Sequence, residues 1–264
     1  MPCLSFITGF CSVMALRYRV AKLPISMLSS SIIILAALIS GFASAEENRT
    51  MGDKKENKQE SLLEASPSSL RYSAAIVRDN IDRSDPTGMY GYVNAIKLLV
   101  QRGLDLSQQH TAQAAEYKEA MLPMSYNLSA DTWTGWEDAH DTAEDYRLVG
   151  LEAARLNLKL KEDIGQSPSK RGAGHWIIGI HLIAEGQYQD AVCSFEHCRD
   201  LARKDSEEQM ALMAEGWIHL SNILAGENET DELEAVKQKL SSMDKDGVFL
   251  ANQFDPALSK FQDR

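Results

Sequence analysis

Histidine and cysteine crowd into one short stretch of this chain, where His175, His181, Cys193, His197 and Cys198 follow one another. Cys193 and His197 are four apart, which puts them on one face of a helix. Zinc accepts such a sulfur and nitrogen pair if His181 or His175 turns toward it from a neighbouring helix. Structural zinc wants four ligands at recognisable spacings, and neither Cys-x-x-Cys nor His-Glu-x-x-His occurs. The two cysteines are therefore read as small packing residues and His197 as solvated, with no metal and no cofactor expected. Five residues place Cys193 and Cys198 on different helix faces, so a disulfide between them is not expected either.

A second constellation is the doublet His140-Asp141, with His110, His175 and His181 loosely spaced around it. It resembles the doublet that all-helical metal phosphohydrolases of the HD type use. That resemblance implies the alternative function, a metal-dependent all-helical hydrolase with histidine ligands. The flanking Glu137, Asp138, Glu144 and Asp145 read better as an exposed acidic helix, so no catalytic residue is assigned and an enzyme is not expected. Trp133 and Trp136, three apart, form either part of a core stripe or an aromatic anchor for a partner. The stretch Asp244-Lys-Asp246-Gly247 lacks the remaining ligands of a calcium loop and reads as a turn.

The elements that must position these residues are helices. From Leu70 to about residue 170, Leu70, Ala74, Ile76 and Ile81 recur at helical intervals up to Arg83-Ser-Asp-Pro86. Tyr90, Val93, Ile96, Leu98 and Leu99 follow up to Gly103. Asp105 or Ser107 can cap the next helix, which Pro123 interrupts. Asp131 is predicted to cap a long helix whose stripe is Trp133, Trp136, Ala143, Tyr146, Val149, Ala153, Leu156 and Leu160, ending at the Gly-Gln-Ser-Pro loop of 165–168. Sustained period-two alternation is absent after the N-terminal segment, so no strand is predicted and the fold class is all-α.

Residues 171–264 carry the most specific pattern. His175-Trp-Ile-Ile-Gly179-Ile-His-Leu182 reads as one helix, Gly186-Gln-Tyr188 as a tight turn, and Ala191, Phe195, Cys198 and Leu201 as the inner side of a second. This resembles the tetratricopeptide repeat (TPR), which has a small residue where its two helices cross and a Gly-x-Tyr at the turn. A small residue and an aromatic follow three and seven positions after the tyrosine. Gly179, Gly186, Tyr188, Ala191 and Phe195 fall in that register. His175 stands where the family has a large apolar residue, and the segment from Arg203 to Ser206 lacks the family's proline. A second hairpin over Glu207 to Met243 keeps the shape without the Gly-x-Tyr, and Asp255 to Phe261 is predicted as a capping helix. The resemblance implies a short α-solenoid of stacked hairpins that acts by protein binding, because a lone hairpin cannot bury its own face. Trp176, Ile180 and Ile183 are apolar beyond what the pattern asks for and, with Trp133 and Trp136, are the candidate binding residues, unless the preceding long helix buries the first three.

The N-terminus supplies the address. Arg17, Arg19 and Lys22 precede the apolar run Ile32 to Ile39, and Ala43-Ser44-Ala45 precedes Glu46. A basic region, a short apolar core and a small-x-small site in that order predict a signal peptide over 1–45, cut after Ala45. The core is roughly ten residues, against about 20 for a membrane-spanning helix, so no stable anchor is expected after cleavage and the product is periplasmic or secreted. Residues 46–69 are rich in Glu, Asn, Lys, Gln and Ser and predict a disordered leader. Three of the 27 basic residues and none of the 38 acidic ones precede Glu46, leaving 24 against 38 and a formal charge of −14 on the remainder. Such a surface disfavours nucleic acid, whose binding needs Lys and Arg on phosphates. A protein partner or self-association is expected instead.

Overall fold

The computed structural model describes residues 66–137, 139 and 141–262. The predicted signal peptide and the leader up to residue 65 lie outside the described residues. The leader's last residues are not a leader: Ser66 caps helix α1 (Pro67–Asn80). Its hydroxyl accepts the Ser69 amide at 3.1 Å while the Ser69 hydroxyl accepts the Ser66 amide at 2.9 Å. That reciprocal pair satisfies two amides that the first turn cannot, with Pro67 at a position where no amide is needed. Asp85 does the same for α2 (Pro86–Gln109), accepting from the Thr87 and Gly88 amides.

Two predicted breaks are absent. Gly103 does not end a helix, because α2 runs on to Gln109. The glycine instead lets α3 (Ala114–Asp131) approach: a Cβ there would lie 2.6 Å from Met121 Sδ. Pro123 does not interrupt α3. Its ring is on the exposed side, where water can serve the carbonyl left without a donor, while Tyr117, Met121, Met124 and Leu128 hold both halves in the core.

The predicted long helix from Asp131 is also corrected. Asp131 ends α3, and the Thr132 hydroxyl folds back on the carbonyls of Leu128 and Ser129 at 2.8 and 3.0 Å. A short 3-10 helix (Asp141–Tyr146) then leads into α4 (Arg147–Asp163). Trp133 and Trp136 therefore lie in an irregular link. Each indole N–H there reaches a backbone carbonyl, Trp133 to Ile180 at 2.7 Å and Trp136 to Ala130 at 2.8 Å. Burial of two indoles with their donors satisfied outweighs the local preference for continued helix.

The remaining helices are α5 (Pro168–Ala184), α6 (Tyr188–Lys204), α7 (Glu208–Leu224), α8 (Thr230–Ser241), α9 (Lys245–Ala251) and α10 (Phe254–Phe261). No strand occurs among the described residues, and no helix among them is long and apolar enough to cross a membrane. The described residues form an all-α, solenoid-like stack in which each helix from α1 to α8 packs on the next, α10 packs on α7, and α1, α3, α5 and α7 also touch in succession. Odd-numbered helices thus form one layer, and each even-numbered helix from α2 to α6 sits against the odd pair that flanks it.

The turns repeat as well as the helices. Gly165, Gly186, Ser206 and Gly226 all have positive φ and follow one another at intervals of 20 or 21 residues. At each, the next amide returns to a carbonyl in the preceding helix's last turn, as Gln187 does to Leu182 at 2.9 Å and Glu207 to Ala202 at 3.0 Å. This is the left-handed helix stop that glycine takes without strain. Ser206 adopts it at φ 59°.

Candidate functional site

The histidines and cysteines near residue 181 do not converge. His181 is fully buried and points from α5 toward α3, its Nε2 3.0 Å from the Ser129 carbonyl and 2.9 Å from the Ser129 hydroxyl. Burial lowers its pKa to about 4, so it is a neutral ring. Gly150 leaves the room it occupies, since a Cβ would fall 2.3 Å from the ring. His175 and His197 lie elsewhere, stacked with centroids 5.0 Å apart, and the His197 Nδ1 lies 2.7 Å from the Cys193 carbonyl as its donor. Burial, then the neighbouring His197, push His175 down to about 4. Cys193 is exposed and Cys198 buried, and both are free thiols. Burial raises the Cys198 thiol to about 12. Among the described residues no group of three or more His, Cys, Asp and Glu side chains is placed to hold a metal ion. His140 lies outside the described residues, so the doublet with Asp141 has no geometry to weigh.

The repeat residues take up packing positions. Gly179 faces Phe195, whose ring would be 2.5 Å from a Cβ there, and Ala191 and Phe195 are buried between α5 and α6. Gly186 makes the turn at φ 70°, and Tyr188 opens α6 half-buried.

The candidate binding residues form a core rather than a surface. Trp133, Trp176, Ile180 and Ile183 are buried, and Trp136 is half-buried. They are covered from a distance along the chain. Trp133 meets Trp136, Trp217 and Phe261 at 4.6, 5.7 and 6.1 Å between centroids, and Trp176 meets Trp136 and Trp217 at 6.3 and 6.5 Å. Phe254 of α10 closes on Trp217 at 5.3 Å. All four tryptophans thus join one cluster between α5, α7, α10 and the link after α3. The expectation that these five side chains greet a partner is corrected: four of them are buried, and Trp136 is half-buried against Trp133 and Trp176. The helix predicted to cap the end of the stack lies on α7.

Two buried polar residues escaped the sequence reading. Asn157 donates to the Leu122 carbonyl at 2.8 Å and the Ser125 hydroxyl at 3.0 Å. Lys161 sits one turn further along α4 with 8% of its surface exposed. Burial lowers its pKa to about 7. Both lie on the stripe of Ala153 and Leu160, so the helical period that found the stripe also carries them inside.

No protein-family model matches this chain, and neither the curated proteins nor the solved structures include a match to it.

Proposed function

We propose that the chain is an exported TPR-like helical-repeat protein, periplasmic or secreted, that works by binding a protein partner or a second copy of itself, as an accessory or assembly factor of an envelope complex. The observation that carries this reading is the stack itself. Successive hairpins laid side by side give an extended surface suited to recognition. The packing of Gly179 against Phe195 supports the TPR-like assignment. The turn interval gives a hairpin pair of about 40 residues against 34 in that family, so the likeness lies in how the helices cross rather than in repeat length.

The aromatic core leaves other side chains for recognition. Tyr90 and Leu98 on α2 and Leu148 at the start of α4 are 62%, 61% and 60% exposed. The 3-10 helix that ends at Tyr146, two residues before Leu148, packs on α2. Large apolar groups gathered on a charged surface favour a protein contact. The test joins Tyr90→Ser with Leu148→Asp, two exposed positions where folding stability should be unchanged. Sedimentation and crosslinking in the exporting cell should show an assembly that the double variant loses. An unaltered assembly, or a monomer with no crosslinked partner, sinks the reading. N-terminal sequencing of the exported product should begin at Glu46.

A further inference from the structure

Helices α6 and α8 both pack on α7, and a cleft of about 370 Å³ opens where the end of α6, the first two turns of α7 and the last turn of α8 come together. Its floor is Ala211 and Leu212, which are 6% and 7% exposed. Its walls carry two cations and two carboxylates. Arg203 of α6 reaches Glu215 of α7 at 3.4 Å, and Lys239 of α8 reaches Glu208 of α7 at 3.7 Å. Both pairs are longer than a charge-assisted hydrogen bond of about 2.8 Å, and the four side chains are 36–69% exposed. Pairs so placed are worth little and exchange partners readily.

The turn that leads into α7 adds a second, independent feature. Gly165, Gly186 and Gly226 make the other stops of positive φ, whereas Ser206 takes φ 59° with a side chain that glycine would spare. Ser206 lies on the wall of the cleft, so the strained position brings a hydroxyl there, two residues before Glu208. Strain kept at one member of a repeated set points to use rather than to folding. The charges point to the kind of ligand. The cleft carries as many cations as carboxylates, so a ligand of single sign meets as much repulsion as attraction, while one that bears both charges is attracted at each end. Glu208 and Glu215 are seven residues apart on one face of α7, which is about 10 Å along the helix. The Arg203 guanidinium, held at Glu215, is therefore about that far from Glu208.

We propose that this cleft binds a short zwitterionic peptide of about three residues. The peptide carboxylate accepts from Arg203, whose remaining N–H donors hold it beside Glu215. The peptide ammonium donates to Glu208 and to Ser206 Oγ, and Lys239 turns out into solvent. An extended chain spans at most about 3.3–3.6 Å per residue, so three residues match the interval and a free amino acid is too short for it. An apolar side chain between the two ends rests on Ala211 and Leu212. None of these residues belongs to the surface of Tyr90, Leu98 and Leu148, and the site stands whether or not that surface has a partner.

The experiment is thermal unfolding of the full chain at neutral pH and constant ionic strength, with millimolar trileucine added. The wild type should gain a few degrees in Tm, because a ligand that binds only the folded state stabilises it by mass action. N-acetyl trileucine and trileucine amide each lack one of the two charges, and leucine lacks the length, so all three should give less than half of that gain. Arg203→Gln, at an exposed side chain that folding does not need, should abolish the response. Ser206→Gly should raise Tm in the absence of peptide, by relieving the turn, and should weaken the response. A wild-type Tm that ignores trileucine, an equal gain with the capped peptides or with leucine, or a gain that persists in Arg203→Gln overturns the proposal.

Discussion

Replacing Gly179 by alanine adds one methyl group to the point where α5 and α6 cross. The new Cβ would lie 2.5, 2.7 and 2.9 Å from three carbons of the Phe195 ring, against about 3.5–4.0 Å for an ordinary carbon contact. The ring must retreat by about 1 Å, and it has little room. Phe195 is fully buried and stacks on Trp217 at 5.8 Å, and Trp217 is held in turn by Trp133, Trp176 and Phe254. Overpacking of this kind costs roughly 1–3 kcal/mol, while alanine regains about 1 kcal/mol of helix propensity over glycine. The net expectation is a loss of about 0–2 kcal/mol. Phe195→Leu, made alone, should cost a similar amount by loosening the same contact. Combined, the smaller side chain makes room for the methyl group, so the double variant should be more stable than the two losses predict, by about 1–2 kcal/mol of coupling. Urea unfolding followed by tryptophan fluorescence reads all four proteins through the cluster that Trp217 joins. If the effects of the two single substitutions add to within about 0.5 kcal/mol in the double variant, the assignment of this crossing as a tight contact is wrong.

Other consequences follow from the same interior. His181 has its pKa lowered to about 4 against 6.5 for a free ring, so between those values the unfolded chain binds a proton that the folded one does not. Stability is then full above pH 6.5 and falls as pH drops toward 4, by roughly 1 kcal/mol per unit from this ring; urea midpoints across that range should slope down, and His181→Asn should remove about half of the slope, because His175, also held at about 4, contributes a like share. Asp163 and Glu229, whose carboxyls Lys118 and His219 hold low, lose their contribution only as pH falls below 3.8 and 4.5, which separates them from most of the histidine range. An alkylating thiol reagent should label Cys193 long before Cys198, read peptide by peptide in a mass spectrometer. Equal rates would mean that α6 does not bury Cys198 as observed. Phe254→Ala should cost about 3–5 kcal/mol and red-shift tryptophan emission, because α10 covers Trp217. A neutral effect would show that the C-terminal helix is not part of the core.

How much was legible differs from residue to residue. Gly186, Gly179 and Phe195 were readable because a hairpin's turn and crossing are local, set by residues near in the chain and limited by backbone sterics. The same holds for the all-helical class and for the placement of Cys193 and Cys198 on different helix faces, although Cys193, read as a packing residue, is exposed. Gly103 and Pro123 misled because propensity prices one residue at a time, while burial on both sides of it decides whether the helix continues. The candidate site was least legible. Helical periodicity marks which face of α5 is apolar but not what covers it, so Trp176, Ile180 and Ile183 read equally well as surface or core. Trp176 is met by Trp136 and Trp217, and the Ile180 carbonyl by Trp133, residues that stand far apart in the chain and meet only once the stack has formed. By itself, then, the sequence determined helices, turns and the spacing of small residues, all governed by contacts within a few residues. Only tertiary packing decided that the tryptophans form the interior and that Lys161 lies buried, because burial depends on segments that stand far apart in the chain.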